Sequence, residues 1–198
     1  MNRPGRMPNC MPRTSAGFGL IEVLVTLFIL LAGLLGLVKL TAHNQRVEME
    51  SYQRGQALVL LQDMVGRINA NRTAAGCYAI TVAADGAPYM GAGSAALPPC
   101  SLGSVQAYTT ANADLAAWDS LLKGAAETMS GAQVGAMIGA RGCVSYAPAS
   151  GVYLVSVAWQ GLGDTAAPVA GLSCGSGLYG AEAKRRVVST TLKIANLN

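Results

Sequence analysis

A chain of 198 residues has room for one folded domain and a separate segment. Hydrophobic residues make up 52% of it and charged residues only 12%, a composition that excludes an intrinsically disordered chain. Of the 14 Lys+Arg, Arg3, Arg6 and Arg13 lie in the first 17 residues, which hold no acid; the other 11 face 10 Asp+Glu, a balance with no electrostatic footprint for nucleic acid.

The basic opening reads as a topology signal that holds the N-terminus in the cytoplasm. Phe18 to Val38 is a proline-free run of 21 residues with one charge, Glu22, and one hydroxyl, Thr26. As a helix it would span about 31 Å, close to the thickness of a bilayer core. A secretory signal peptide would need a small-residue cleavage site after the run, where Lys39-Leu40-Thr41-Ala42-His43 stands instead. A lipoprotein signal would need a cysteine after the run, and Cys10 precedes it. A plain anchor leaves Glu22 unexplained. A carboxylate inside a span costs about 2.5–3.5 kcal/mol and demands a partner, yet no Lys or Arg lies three or four residues away. Cleavage after Gly17 would create an α-amino group on Phe18, four residues before Glu22.

From His43 to Asn71 the pattern becomes amphipathic. Leu58, Leu61, Val65 and Ile68 fall at helical spacing, with Arg54, Gln62, Asp63 and Arg67 off that stripe. One helix to about Asn71 is predicted, roughly 80 Å long. The expected organisation is a leader over 1–17, an apolar half-helix over 18–42, an amphipathic half over 43–71 and a globular head over 72–198. Gly33 and Gly36 would permit close helix approach.

The head opens with Ala, Gly and Pro from Thr73 to Val105, around a short strand expected at Tyr78–Val82. Asn112 to Lys123 is predicted as a helix, with Asn112 as its cap and Leu115, Trp118 and Leu122 on one face. Val144–Tyr146 and Val152–Trp159 read as strands around the turn Ala147-Pro148-Ala149-Ser150-Gly151, and Val187–Ile194 alternates as a third. These segments predict an α+β fold, an antiparallel sheet packed on the long helix. Trp118 and Trp159 are expected in the core. Lys184-Arg185-Arg186 reads as a solvated strand start.

Without the leader, which carries Cys10, four cysteines remain: Cys77, Cys100, Cys143 and Cys174. Outside the cytoplasm they can form disulfides. Three pairings are open; Cys77–Cys100 with Cys143–Cys174 is favoured because each closes a moderate loop. A metal site lacks any CxxC spacing, and the one histidine, His43, sits in another element. Gly175-Ser176-Gly177-Leu178-Tyr179-Gly180 matches GxGxxG but lacks the strand–turn–helix context of a dinucleotide site. His43 has no acid or nucleophile positioned for a triad. No catalytic, cofactor-binding or metal-ligating residue is expected.

Gly17-Phe18-x-Leu20-Ile21-Glu22-Val23-Leu24-Val25 resembles the class III signal of type IV pilins and pseudopilins. Gly19 stands where Thr or Ser is commoner, and an internal start at Met7 or Met11 would shorten the leader. The resemblance implies removal of the leader after Gly17 by a prepilin peptidase, N-methylation of Phe18, and pairing of Glu22 with the amine of an adjacent subunit. Glu50 to Leu58, Asp63 to Asn71, Arg141-Gly142-Cys143, Val157 to Gly161 and Arg185 to Val188 resemble minor pilins of the type IV pilus. That implies a pilin fold, an inner-membrane subunit with its head in the periplasm before assembly, and other minor pilins and the major pilin as partners. A ligand-binding tip pilin (an adhesin or a DNA-uptake subunit) and a pseudopilin of type II secretion are the alternatives.

Overall fold

The computed structural model describes residues 17, 19–126, 128–130, 132–133 and 137–194, and the chain divides into two units, Met1–Gln45 and Arg46–Asn198. Helix α1, Leu20–Ala70, runs for 51 residues without a proline. It begins at Gly19, whose carbonyl accepts the N–H groups of Glu22 and Val23.

Within the first unit, the large apolar side chains of α1 from Leu20 to Leu40 are all at least 50% exposed. Within the second, α1 buries Gln53, Ala57, Leu61, Met64 and Ile68. This corrects the expected stripe. Leu61 and Ile68 point inward and Val65 is half-buried, but Leu58 is 43% exposed and Ala57 and Met64 take inward places. Adjacent apolar residues offered two stripes of the same helical spacing, and only tertiary packing selects the phase.

After α1 come a 3-10 turn at Arg72–Ala74 and the short helix α2, Ala75–Tyr78. No strand forms at Tyr78–Val82. Tyr78 ends a helix, and Val82 makes only an isolated bridge to Ala87. Individual tertiary bonds satisfy this segment instead. Tyr78 donates its hydroxyl to Asp114 at 2.5 Å. Thr81 donates its N–H to the Val144 carbonyl at 2.9 Å and its hydroxyl to Pro88, while the same hydroxyl accepts the Val144 N–H.

A two-residue strand β1, Met90–Gly91, precedes helix α3, Val105–Leu122. Ser104 caps α3 by accepting the Ala107 N–H, as short hydroxyl side chains favour. Asn112 is therefore not the cap. It sits mid-helix, where its amide accepts from the Cys100 N–H at 2.9 Å and donates to the Cys100 carbonyl at 3.0 Å, pairing with the extended chain as a peptide group would. Ala107, Ala111, Leu115, Trp118 and Leu122 form the buried face of α3.

β2 (Thr128–Met129) and β3 (Ala132–Gln133) pair only with each other. β4 (Arg141–Ala147), β5 (Val152–Gln160) and β6 (Arg185–Lys193) complete an antiparallel four-stranded sheet in the order β1-β4-β5-β6. The β4–β5 turn closes by the N–H groups of Ser150 and Gly151 donating to the Ala147 carbonyl. Side chains alternate across the sheet. On one face Val144, Val155 and Val157 join Trp118, Leu115 and the α1 stripe in the main core. The register Cys143↔Ser156↔Ser189 belongs to the other face. There Cys143, Ala158, Cys174 and Tyr179 form a smaller core, with Val187 packed against it. A long N-terminal helix with an antiparallel sheet makes this an α+β, pilin-like architecture.

Candidate assembly site

Gly17 is exposed, and a Cβ built on it would meet nothing within 4 Å. Phe18 and residues 1–16, including Arg3, Arg6, Cys10 and Arg13, lie outside the described residues. Glu22 occupies the first turn of α1, where the helix dipole favours a carboxylate. It is exposed and has no ion-pair partner among the described residues. Gly33 and Gly36 also have nothing within 4 Å of a built Cβ, so they are flat places on an open helix. The fifteen large apolar side chains from Leu20 to Leu40 are the dominant chemical feature here. Burying each stabilises by about 1.5–3 kcal/mol, so their transfer from water amounts to tens of kcal/mol. The helix is long and apolar enough to cross a membrane.

The four downstream cysteines lie in the second unit. Cys77 is bonded to Cys100, joining α2 to the extended chain before α3. Cys143 is bonded to Cys174, joining β4 to the long connection between β5 and β6.

Lys184-Arg185-Arg186 is not a uniformly solvated strand start. Lys184 is exposed, but Arg185 is only 5% exposed. Its guanidinium donates to the carbonyls of Leu172 at 2.6 Å and Cys174 at 3.0 Å, and pairs with Glu182 at 2.6 Å. The Arg185 guanidinium thus organises the β5–β6 connection, because a buried cation must use its donors. Arg186 pairs with Glu50 of α1 at 3.2 Å, and Glu50 also accepts the N–H groups of Leu162 and Gly163.

The GxGxxG segment is a loop. Gly175, Gly177 and Gly180 all have left-handed backbone, and the Gly177 N–H donates to Glu182 at 2.8 Å. That amide and the Arg185 guanidinium hold the Glu182 carboxyl below its ordinary range. The strand that follows is antiparallel, so the βαβ context of a dinucleotide site is missing. His43 is exposed on α1. Among the described residues, no group of three or more His, Cys, Asp or Glu is placed to hold a metal ion.

Two polar clusters of the second unit are not among the residues that the sequence singled out. Arg67 bridges Asp63 at 2.8 Å and Asp114 at 2.7 Å. Burial, and the hydrogen bond to Asp114, raise the pKa of Tyr78. Asp119 accepts from the Gly91 N–H at 2.7 Å, the Ser94 hydroxyl at 2.9 Å and Lys123 at 2.6 Å. Burial acts to raise its pKa, but these donors outweigh it and the net shift is downward. The pairs Asp63–Arg67 and Asp119–Lys123 lie four apart on their helices, a signal the sequence did carry.

Residues 12–38 match the family model described as the prokaryotic N-terminal methylation motif. No curated protein and no solved structure matches the chain significantly. The motif, which takes in the open apolar stretch of α1 from Leu20 to Val38, supports a type IV pilin-like protein with a membrane-anchoring N-terminal helix.

Proposed function

We propose that the chain is a minor pilin of the PilV type, a subunit that takes part in type IV pilus biogenesis. The observation that carries this reading is a methylation motif over residues 12–38 whose greater part is an exposed apolar helix, with Glu22 as the one carboxylate in its first turn. In the proposed sequence of events, the precursor inserts in the bacterial inner membrane with its head in the periplasm. A prepilin peptidase removes residues 1–17, and the new N-terminus at Phe18 is methylated. The apolar helix then leaves lipid for a fibre, joining other minor pilins and the major pilin. In that setting the Glu22 carboxylate needs a cation, since an unpaired charge in an apolar bundle is costly. The Phe18 amine of an adjacent subunit supplies it and sets the axial register.

The assignment to PilV-like pilins rests on segments such as Arg141-Gly142-Cys143 and Asp63 to Asn71. The head is assigned no enzymatic activity: its titratable side chains are mostly engaged in structural pairs. Mass spectrometry of the mature protein tests the processing step. Loss of residues 1–17 with a methylated Phe18 is expected, and an intact N-terminus refutes the reading. Glu22→Ala tests the register role: pilus number and subunit incorporation should fall sharply, and normal assembly would exclude that role. Co-purification with minor pilins favours the pilus; dependence on secretion genes would favour a pseudopilin.

A further inference from the structure

β6 is an edge strand of the four-stranded sheet. On one side it pairs with β5 along its whole length, Arg185 to Lys193, in continuous register and without a bulge. Past Gln160 the chain leaving β5 carries that same pairing on, beside the approach to β6. Gly161 donates to the Lys184 carbonyl at 2.8 Å and Thr165 to the Ala183 carbonyl at 2.9 Å. From Arg186 to Lys193, the backbone bonds to no described residue outside β5. The run Val187-Val188-Ser189-Thr190-Thr191-Leu192 has no charge, glycine or proline. Soluble proteins ordinarily blunt such an edge with a charge, a proline or a bulge, because unpaired N–H and C=O groups on a strand of high β-propensity recruit another strand.

We infer that the outer edge of β6 docks an extended segment of another polypeptide, which adds to the sheet as a further strand. The side chains show what fits. Val188, Thr190, Leu192 and Ile194 are half-buried on the core face, whereas Ser189, Thr191 and Lys193 are exposed on the other. An added strand extends both faces, so it should alternate apolar and polar residues. Lys184 and Lys193, both exposed, bracket the uncharged run. Two copies of β6 paired antiparallel about Val188 and Ser189 would bring Lys193 of each beside Lys184 of the other, which closes the 3-10 turn Glu182–Lys184 just before β6. Like charges directly opposite are destabilising, so a second copy is the poorer occupant. The matching occupant is a different chain, acidic at both ends of an alternating apolar–polar segment. This inference stands independently of the N-terminal motif and Glu22.

The test uses the full-length chain in detergent micelles and two labelled peptides of alternating valine and threonine. One carries aspartate at both ends and the other lysine. The aspartate-ended peptide should bind about tenfold more tightly, from two reversed charge pairs. In hydrogen exchange it should protect amides within Arg186–Lys193. Lys193→Glu, an exposed change that leaves the fold intact, should shrink the preference. Equal binding, no binding, or protection confined to other segments would overturn the inference. A dimer protected at β6 in the absence of peptide would overturn the choice of occupant.

Discussion

Gly142 of β4 lies flat against the indole of Trp118: a Cβ on Gly142 would stand 2.2 Å from Cη2 of the ring and 2.7 Å from Cδ1 of Leu122. The ring has no room to retreat. Trp118 is fully buried and donates its Nε1–H to the Leu60 carbonyl of α1 at 2.9 Å. This one contact sets β4, α3 and α1 against each other.

Gly142→Ala should destabilise the head by about 1–3 kcal/mol, the ordinary cost of overpacking a filled core. Denaturant unfolding followed by Trp fluorescence should show a lower midpoint at unchanged slope. An unchanged midpoint would mean that the indole yields.

The Cys143–Cys174 bond spans a separation of 31 residues and anchors the β5–β6 connection. Chain entropy assigns such a loop about 3–4 kcal/mol. Replacing both cysteines with alanine should lower stability by up to that amount. Adding reductant to that double variant should then produce a smaller further loss, from Cys77–Cys100, than it produces in the wild type.

Arg185→Lys should loosen the same connection. A lysine ammonium has no planar fork to reach the Leu172 and Cys174 carbonyls and Glu182 together. Leaving a buried carbonyl unpaired costs about 1–3 kcal/mol. Limited proteolysis should cut first between Gly163 and Glu182, and an undigested connection would contradict the anchoring role.

Asp119 gives a pH dependence whose sign is settled. Burial pushes its carboxyl up, but Lys123, the Gly91 N–H and the Ser94 hydroxyl together hold its folded pKa below that of an ordinary aspartate. The stability it contributes is therefore present above the unfolded pKa and lost as pH falls through the folded value. Asp119→Asn should lower the unfolding midpoint at neutral pH, and the gap from wild type should narrow below about pH 4. A gap independent of pH would show that the carboxylate charge contributes nothing.

The legible parts were those governed by local periodicity. The long helix, the β4–β5 hairpin and the alternating β6 each carry their pattern within a dozen or so neighbouring residues. So does the exposed apolar run with Glu22, because its character is a property of the segment alone. Local periodicity does not show residues that are held by individual tertiary hydrogen bonds instead of a ladder or a cap. Tyr78 and Thr81 have strand-like side chains, yet Asp114, Pro88 and Val144 satisfy them individually. Asn112 has the chemistry of a cap, yet its amide serves Cys100.

By itself the sequence determined an apolar, nearly uncharged N-terminal helix interrupted by one carboxylate, and an α+β head with four cysteines. Hydropathy, charge and strand alternation are written residue by residue. Only the tertiary structure decided that Arg185 is buried, that Met64 rather than Leu58 faces the core, and that β6 is an edge strand whose outer side bonds to no described residue. Burial and edge position depend on which distant segment arrives beside a residue, and no local pattern encodes that arrival.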